Sequence, residues 1–115
     1  MSDIKSLTKK IKQFRDERDW KQFHNHKDLA VALVLEAAEL LEHFQWKNLQ
    51  EADQHAQENK QAISDELADI AMYLLELADN LRVDLSKAIE QKLKKNTIKY
   101  PVEKAKGKHT KYNNL

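Results

Sequence analysis

The sequence predicts an all-α protein, built as a four-helix bundle-like domain with a basic C-terminal tail. Its single proline is Pro101 and its single glycine is Gly107, so the first hundred residues lack the two residues that most often interrupt helices. Apolar residues recur along that stretch at steps of three and four, the spacing of one helix face. With 115 residues, the chain is expected to form one domain, residues 1–115, with its tail at 102–115. The four helices are predicted at residues 3–18, 28–46, 60–81 and 84–99.

The first predicted helix has one apolar face, and the second is apolar almost all round. Ser2 or Asp3 is a possible N-cap of the first helix. Its apolar face consists of Ile4, Leu7, Ile11 and Phe14. Residues 19–27 break this period with aromatic, histidine and asparagine side chains. Asp28 is then expected to cap the second helix.

The polar segment 47–58 separates the second and third helices and is expected to form a loop or a frayed helical turn. The apolar residues of the third helix are Ile63, Leu67, Ile70, Leu74, Leu77 and Leu81. Asp84 is the expected N-cap of the fourth helix, which must end near Lys99 because Pro101 disfavours helical backbone at Tyr100. The tail beyond has no apolar period and is expected to be flexible or to become ordered only by docking.

Charge is distributed unevenly along the chain, although the formal net charge is only +1. Residues 1–27 carry a net +4, residues 28–84 a net −10 and residues 85–115 a net +7. A nucleic-acid-binding arm would explain the basic ends, but not why the most apolar part of the chain is also the most acidic. We therefore expect no nucleic-acid partner.

The chain contains no cysteine, which rules out a disulfide framework and a thiolate ligand or nucleophile. Any metal must then be held by carboxylates or histidines. The longest uncharged run, residues 29–35, is too short to cross a bilayer, and residues 1–12 alternate charges where a signal peptide would be apolar. We expect a cytoplasmic protein with no membrane association.

Two pairs of carboxylates lie inside the apolar helices. Glu36 and Glu39 are three residues apart in the second helix, and Glu66 and Asp69 repeat this spacing in the third. In an antiparallel helix pair, facing residues have a constant sum of residue numbers, and this sum pairs Glu36 with Asp69 and Glu39 with Glu66. Four acids at one level of an apolar interior must take up protons or bind cations. Oxygen ligands favour Mg²⁺, with Mn²⁺ as a possible substitute.

Two other interpretations of the acids compete with the metal site, a solvated helix face and a di-iron carboxylate bundle. A single pair of acids three residues apart is more often a solvated helix face than a metal site. Two pairs in register, each among apolar residues, favour the metal site instead. A di-iron carboxylate bundle would need Glu-x-x-His on two helices, and no glutamate here has a histidine three residues later.

Aromatic residues extend the same two stripes. Trp46 follows Glu36, Glu39 and His43 at helical spacing, and Tyr73 follows Asp69. Aromatic rings beside a metal site can stack on a planar base, although the pattern fits core aromatics with polar atoms at the rim equally well.

The fourth helix carries Lys92, Asn96 and Lys99 on one stripe. These cations and the amide suit phosphate oxygens, although lysines on a helix are more often only part of a solvated face. Basic termini on both sides of an acidic central segment would suit a metal-bound polyphosphate, because the metal neutralises the carboxylates and the lysines hold the phosphates.

At these residues the sequence resembles the MazG-like nucleotide pyrophosphohydrolases of the all-α NTP pyrophosphatase group, most closely the small dCTP pyrophosphatase-like members. The resemblance extends over nearly the whole chain, and several motifs in the same order make it specific. The motifs are RDWKQFH at 18–24, ExxE at 36–39, FQWK at 44–47, ExxD at 66–69, Tyr73, and KxxxNxxKYP at 92–101.

The resemblance implies an Mg²⁺-dependent enzyme that hydrolyses nucleoside triphosphates to the monophosphate and pyrophosphate and so removes unwanted nucleotides. The implied metal ligands are Glu36, Glu39, Glu66 and Asp69. Glu36 or Glu39 would be the general base. The implied base-binding residues are Trp20, Trp46 and Tyr73. The implied phosphate-binding residues are Lys92, Asn96, Lys99 and Tyr100.

The resemblance also implies a homodimer or homotetramer, and the second and third helices are apolar over more surface than one chain can cover. Ile11 stands where the dCTP-specific relatives have a histidine that reaches the base, so we expect several deoxynucleoside triphosphates to be accepted. The alternative is a non-catalytic helical module that serves for dimerisation or that binds nucleotide and metal without turnover.

Overall fold

The computed structural model describes residues 3–115, and it contains helices and turns but no β-strand over that range. The predicted all-α fold class is therefore confirmed; the possible cap Ser2 lies outside the described residues. The helices are α1 (Ile4–Glu17), α2 (His26–Glu42), α3 (Leu49–Glu58), α4 (Lys60–Asn80), α5 (Leu85–Lys99) and α6 (Val102–Ala105). Short 3₁₀ turns cover Lys21–Phe23 and Tyr112–Asn114. Over residues 3–115, none of the helices combines the length and apolarity needed to span a bilayer.

The chain divides into two compact units, one ending at Val83 and the other beginning at Asp84. In the first unit, α2 and α4 form the principal helix pair, and both α1 and α3 pack on α4. The long helix α4 is therefore the element that every other helix of this unit contacts. The second unit contains α5, α6 and the last 3₁₀ turn. The expected single-domain organisation stays a prediction.

Side-chain caps fix where three helices begin. Asp3 Oδ1 accepts from Ser6 N at 2.8 Å and starts α1, as predicted. Asp84 caps α5 in the same way, accepting from the backbone N–H of Lys87 at 3.1 Å. The predicted start of the second helix is wrong by two residues, because Asn25 rather than Asp28 supplies the capping oxygen.

The segment predicted as a loop or frayed turn is instead the regular helix α3. Asn48 and Glu51 form a reciprocal capping box, with Asn48 Oδ1 accepting from Glu51 N at 2.8 Å and Glu51 Oε1 from Asn48 N at 3.1 Å. The predicted end of the second helix at residue 46 is also wrong, because α2 ends at Glu42 and residues 43–46 form turns. Polar composition alone hid a well-capped helix here.

Two helices end in the left-handed conformation without a glycine. Asp19 has φ 54° after α1, and Arg82 has φ 57° after α4. At each end, a backbone N–H reaches a carbonyl five residues earlier: Trp20 N bonds to Arg15 O at 3.1 Å, and Val83 N bonds to Ala78 O at 2.8 Å. These Schellman-type bonds satisfy helix-end carbonyls that would otherwise lack partners.

The first unit has little apolar core of its own. Among the described residues, Leu29 and Ala78 are the only apolar side chains classed as buried. Large side chains on the central helix pair remain half-exposed or more, including Val34 at 65% and Leu67 at 52%. A helix pair that leaves its apolar faces uncovered has surface available for a partner.

Candidate active site

Three of the four predicted ligands converge between α2 and α4. Oxygen atoms of Glu36, Glu39 and Glu66 all lie within 4.8 Å of one another. Asp69 lies outside that group in the described part of the chain, although its charge acts on Glu36 and Glu66. The packing of α2 on α4 therefore brings Glu36 beside Glu66. The constant sum of residue numbers predicted Asp69 as the residue that faces Glu36.

The acidic group is electrostatically unfavourable as it stands. Burial raises the pKa of Glu36 to about 7, with further contributions from Glu66, Glu39 and Asp69. Burial also raises the pKa of Glu66, together with the charges of Glu39 and Asp69, while the proximity of the Glu36 carboxyl acts in the opposite direction. The carboxylates therefore compete for protons when no cation neutralises them.

Two buried oxygen atoms of this group have no hydrogen-bond partner, Glu36 Oε2 and Glu66 Oε2. Buried polar atoms are normally satisfied, so orphaned oxygens that converge with a third carboxylate fit a bound divalent cation. The donor set consists of oxygen alone, which suits a hard cation. The residues of the acidic group therefore fit a divalent metal centre.

The three predicted base-binding aromatic residues do not all lie beside the acidic group. Tyr73 is half-buried, and its pKa is raised by burial and then by the charges of Glu36, Asp69 and Glu76, which places its phenol near the acidic group. Trp20 packs edge-on against Phe14 at a centroid distance of 5.7 Å. Trp46 is 91% exposed, because α2 ends before it and the turn carries it off the carboxylate stripe.

The predicted phosphate-binding residues belong to the second unit. Lys92, Asn96 and Lys99 lie on α5, and Tyr100 is its C-cap. Here Tyr112 contacts two of them: Lys99 Nζ is 4.7 Å from the Tyr112 ring centroid, and the Tyr100 and Tyr112 centroids are 6.1 Å apart. The segment that follows α5 thus folds back on its C-terminal end.

Residues 31–115 match the MazG-like family, and this range includes all four acids. The chain belongs to the MazG-like family. It is 42% identical over 105 residues to dCTP pyrophosphatase 1 of Rattus norvegicus and 40% identical over 105 residues to that of Homo sapiens, covering 90% of this chain in each case. This MazG-like chain spans only 62% of the length of those relatives.

A solved structure also resembles this MazG-like chain. A pyrophosphatase from Archaeoglobus fulgidus superposes with a TM-score of 0.83 at 36% sequence identity. The superposition covers 88% of this chain and 94% of the archaeal chain. Agreement over that length supports the same helical fold for both proteins.

Sequence reasoning missed a histidine pair beside the acids of this MazG-like chain. His43 Nδ1 is 2.8 Å from His55 Nε2, and His55 Nδ1 is 3.2 Å from Asn59 Nδ2. Burial, then Lys47 and His43, lowers the pKa of His55. A cavity of about 330 Å³ is lined by Glu39, Glu42, His43, His55 and Glu66. The pair could not be anticipated, because His55 lies on α3, where a loop or frayed turn was expected.

Sequence reasoning also missed two buried charged residues, Arg15 and Glu76, which form an ion pair. A signal for Glu76 was available, since it continues the stripe of Glu66, Asp69 and Tyr73 at steps of three and four. Arg15 offered none, because it is one of several basic residues in its helix.

Proposed function

We propose that this chain hydrolyses nucleoside triphosphates, deoxynucleotides among them, to the monophosphate and pyrophosphate with Mg²⁺ as cofactor. The observation that carries this proposal is the convergence of Glu36, Glu39 and Glu66 with two buried oxygens left unpaired. The names of the rat, human and archaeal relatives support a pyrophosphatase. Removal of unwanted nucleotides is the role that we propose for the reaction.

The proposed metal ligands are Glu36, Glu39, Glu66 and Asp69, and Mn²⁺ is a possible substitute for Mg²⁺. When bound, the cation neutralises phosphate charge and lowers the pKa of a coordinated water molecule. In the reaction, the oxygen of water attacks the α-phosphorus and the bond to the bridging oxygen of the β-phosphate breaks. Pyrophosphate leaves, and a carboxylate accepts the proton of the attacking water.

Glu39 is the better candidate for the general base. It is exposed and lines the cavity beside the acidic group, so water has access to it. The Oε2 atom of Glu36, in contrast, is buried. Glu36 then serves mainly to hold the cation.

The other proposed contacts are those that the family resemblance implies. Trp20 and Tyr73 are proposed to stack on the base. Trp46, which is exposed in the single chain, is proposed to join them when a partner subunit covers it. Lys92, Asn96, Lys99 and Tyr100 are proposed to bind phosphate oxygens. Stacking tolerates any base, so we expect several deoxynucleoside triphosphates to be accepted, with pyrimidines first.

We also propose that the chain works as a homodimer or homotetramer. The exposed apolar residues of α2 and α4 support this, since their exposure would be costly in a monomer. Sedimentation velocity at micromolar concentration should show a particle of at least twice the 13.5 kDa chain mass. A folded monomer under those conditions would contradict the assembly.

The test of activity is release of pyrophosphate from a panel of dNTPs and NTPs with Mg²⁺, with the nucleotide products separated by chromatography. Production of monophosphate and pyrophosphate supports the proposal, and stepwise release of orthophosphate contradicts it. Glu66→Gln should abolish turnover. Asp65→Asn is the matched control, because Asp65 is the adjacent acid and is exposed. Nucleotide binding without turnover would favour the non-catalytic binding module instead.

A further inference from the structure

A buried charged network lies on α4 beyond the acidic group, and the proposed hydrolysis does not use it. Arg15 and Glu76 are each 3% exposed, and Arg15 Nη1 is 3.6 Å from Glu76 Oε2. The same oxygen is 2.6 Å from His24 Nδ1. The network therefore joins α1, α4 and the segment between α1 and α2.

This network holds His24 by both its ring and its backbone. A carboxylate only accepts hydrogen bonds. The Nδ1–H group of His24 is therefore the donor of the hydrogen bond to Glu76. Asn80 Nδ2 also donates to the His24 carbonyl oxygen at 3.0 Å. With Nδ1 occupied, Nε2 is the ring nitrogen left for another partner, and the side chain is 20% exposed.

The fixed His24 ring lies beside Trp20, one of the aromatic residues assigned to the base. Its centroid is 6.3 Å from that of Trp20, and the backbone N–H of Phe23 closes the turn between them onto Trp20 O at 2.9 Å. Glu76 is also one of the charges that raise the pKa of Tyr73. The network thus holds a polar ring nitrogen beside Trp20.

We propose that His24 is a specificity-determining residue that hydrogen-bonds the polar edge of the nucleobase through Nε2, and that Glu76 and Arg15 act as positioning residues for its ring. The proposal rests on the proposed function, since it assigns a role at the same nucleotide site. Stacking on Trp20 tolerates any base. A directed hydrogen-bonding group does not, because a base that leaves it unpaired is rejected.

Two substitutions of His24 separate base recognition from structural support. The amide nitrogen of Asn can take the place of Nδ1 and keep the bond to Glu76, but His24→Asn has no atom at the position of Nε2. We expect it to keep the thermal stability while lowering the ratio of kcat/KM between the best and worst dNTP by about tenfold or more. His24→Gln, whose amide reaches farther, should retain more of that ratio.

His26→Asn is the matched control, because it makes the same change two residues away at an exposed position. We expect it to leave the ratio unchanged. If His24→Asn lowers kcat/KM for all four dNTPs by one common factor, the role is structural and the proposal is overturned. A wild-type ratio of unity, or an unchanged ratio in His24→Asn, also overturns it.

A second readout keeps this proposal distinct from the proposed hydrolysis. If the wild-type chain binds nucleotides without hydrolysing them, the proposed function fails, and the ratio is then taken from Kd values measured by tryptophan fluorescence. If His24→Asn does not fold, Glu76→Gln replaces it. That variant retains the size of the side chain but weakens the hold on His24, so a reduced ratio is again expected and an unchanged ratio overturns the proposal.

Discussion

Helix α4 places two carboxylates ten residues apart in opposite electrostatic surroundings, Glu66 half-buried and Glu76 buried. Glu66 faces Glu36 and Glu39, with no cation among its neighbours in the described chain, and one of its oxygens is buried without a partner. Glu76 instead receives His24 at 2.6 Å and lies 3.6 Å from the Arg15 guanidinium. Glu66 therefore lacks a positively charged or hydrogen-bonding partner within the described chain, whereas Glu76 has both.

This difference separates a ligand site from a structural ion pair. Repulsion among acids is tolerated where a ligand relieves it, and it raises the pKa of the acids when the ligand is absent. A buried ion pair with good partners gives geometric definition, although it contributes little net stability. Removing one carboxylate should therefore have opposite consequences for stability in the two regions.

The largest expected effect on stability comes from the satisfied carboxylate. Glu76→Ala removes one of the two acidic partners of the buried Arg15, whose Nε stays 2.8 Å from Asp16 Oδ1, and it also removes the partner of His24 Nδ1. We therefore expect the free energy of unfolding to fall by about 1–3 kcal/mol. Chemical denaturation followed by circular dichroism measures this. The double variant Arg15→Met/Glu76→Leu removes both charges and should recover most of the loss.

The double variant also tests the inference about His24, because it restores packing without restoring the hold on the imidazole. Recovered stability with a reduced dNTP selectivity is the expected combination. A Glu76→Ala variant as stable as the wild type would show that Asp16 alone satisfies Arg15, and the contrast between the two carboxylates would then fail.

Substitutions in the acidic group should lower activity rather than the stability of the fold. Glu39→Gln or Asp69→Asn is expected to reduce turnover by at least about a hundredfold, because each removes charge from the proposed metal centre. Chelation of the metal should abolish activity in the wild type. Pyrophosphate release at saturating Mg²⁺ measures both effects, with Asp65→Asn as the control. Near-normal rates in both variants would show that the metal assignment is wrong.

The two regions also differ in how far the sequence predicts them. The positions of Glu36, Glu39 and Glu66 can be predicted from helical spacing inside apolar helices, because this periodicity is visible in a single sequence. The partnership of Arg15 and Glu76 depends on how α1 crosses α4, and no periodicity within either helix encodes that crossing. Long-range polar pairing is therefore where sequence reasoning fell short.

Local backbone chemistry sets the ends of α1 and α4 and the start of α3. The ends of α1 and α4 use Asp19 and Arg82 in the left-handed conformation, where glycine would have been the visible signal. The helix α3 is set by Asn48 and Glu51, two residues whose reciprocal bonds outweigh the polar composition of the segment. Capping signals were thus present in the sequence but weaker than the hydrophobic pattern.

The smallest expected effect is the pH dependence of stability in the metal-free acidic group. The pKa of Glu36 lies near 7 in the folded chain against an ordinary value of 4.5, so the folded state binds more protons between those values. Stability should therefore fall as pH rises from about 4.5 to 7. Glu66, whose pKa is also raised, contributes in the same direction, whereas the lowered pKa of His55 acts in the opposite direction.

The difference between wild type and Glu36→Gln reports the contribution of Glu36 together with its effect on Glu66, since the other groups are common to both chains. In EDTA, thermal unfolding at pH 5 and pH 8 should show a smaller loss of Tm for Glu36→Gln. Relief of about 1 kcal/mol of repulsion at pH 8 corresponds to a Tm higher by about 4–8 °C. Mg²⁺ should raise the Tm of the wild type at pH 8 and have less effect on the variant, because bound cation relieves the same repulsion. Equal pH dependence in the two proteins would show that Glu36 is not the strained carboxylate, and the contrast with Glu76 would then have to rest on Glu66 alone.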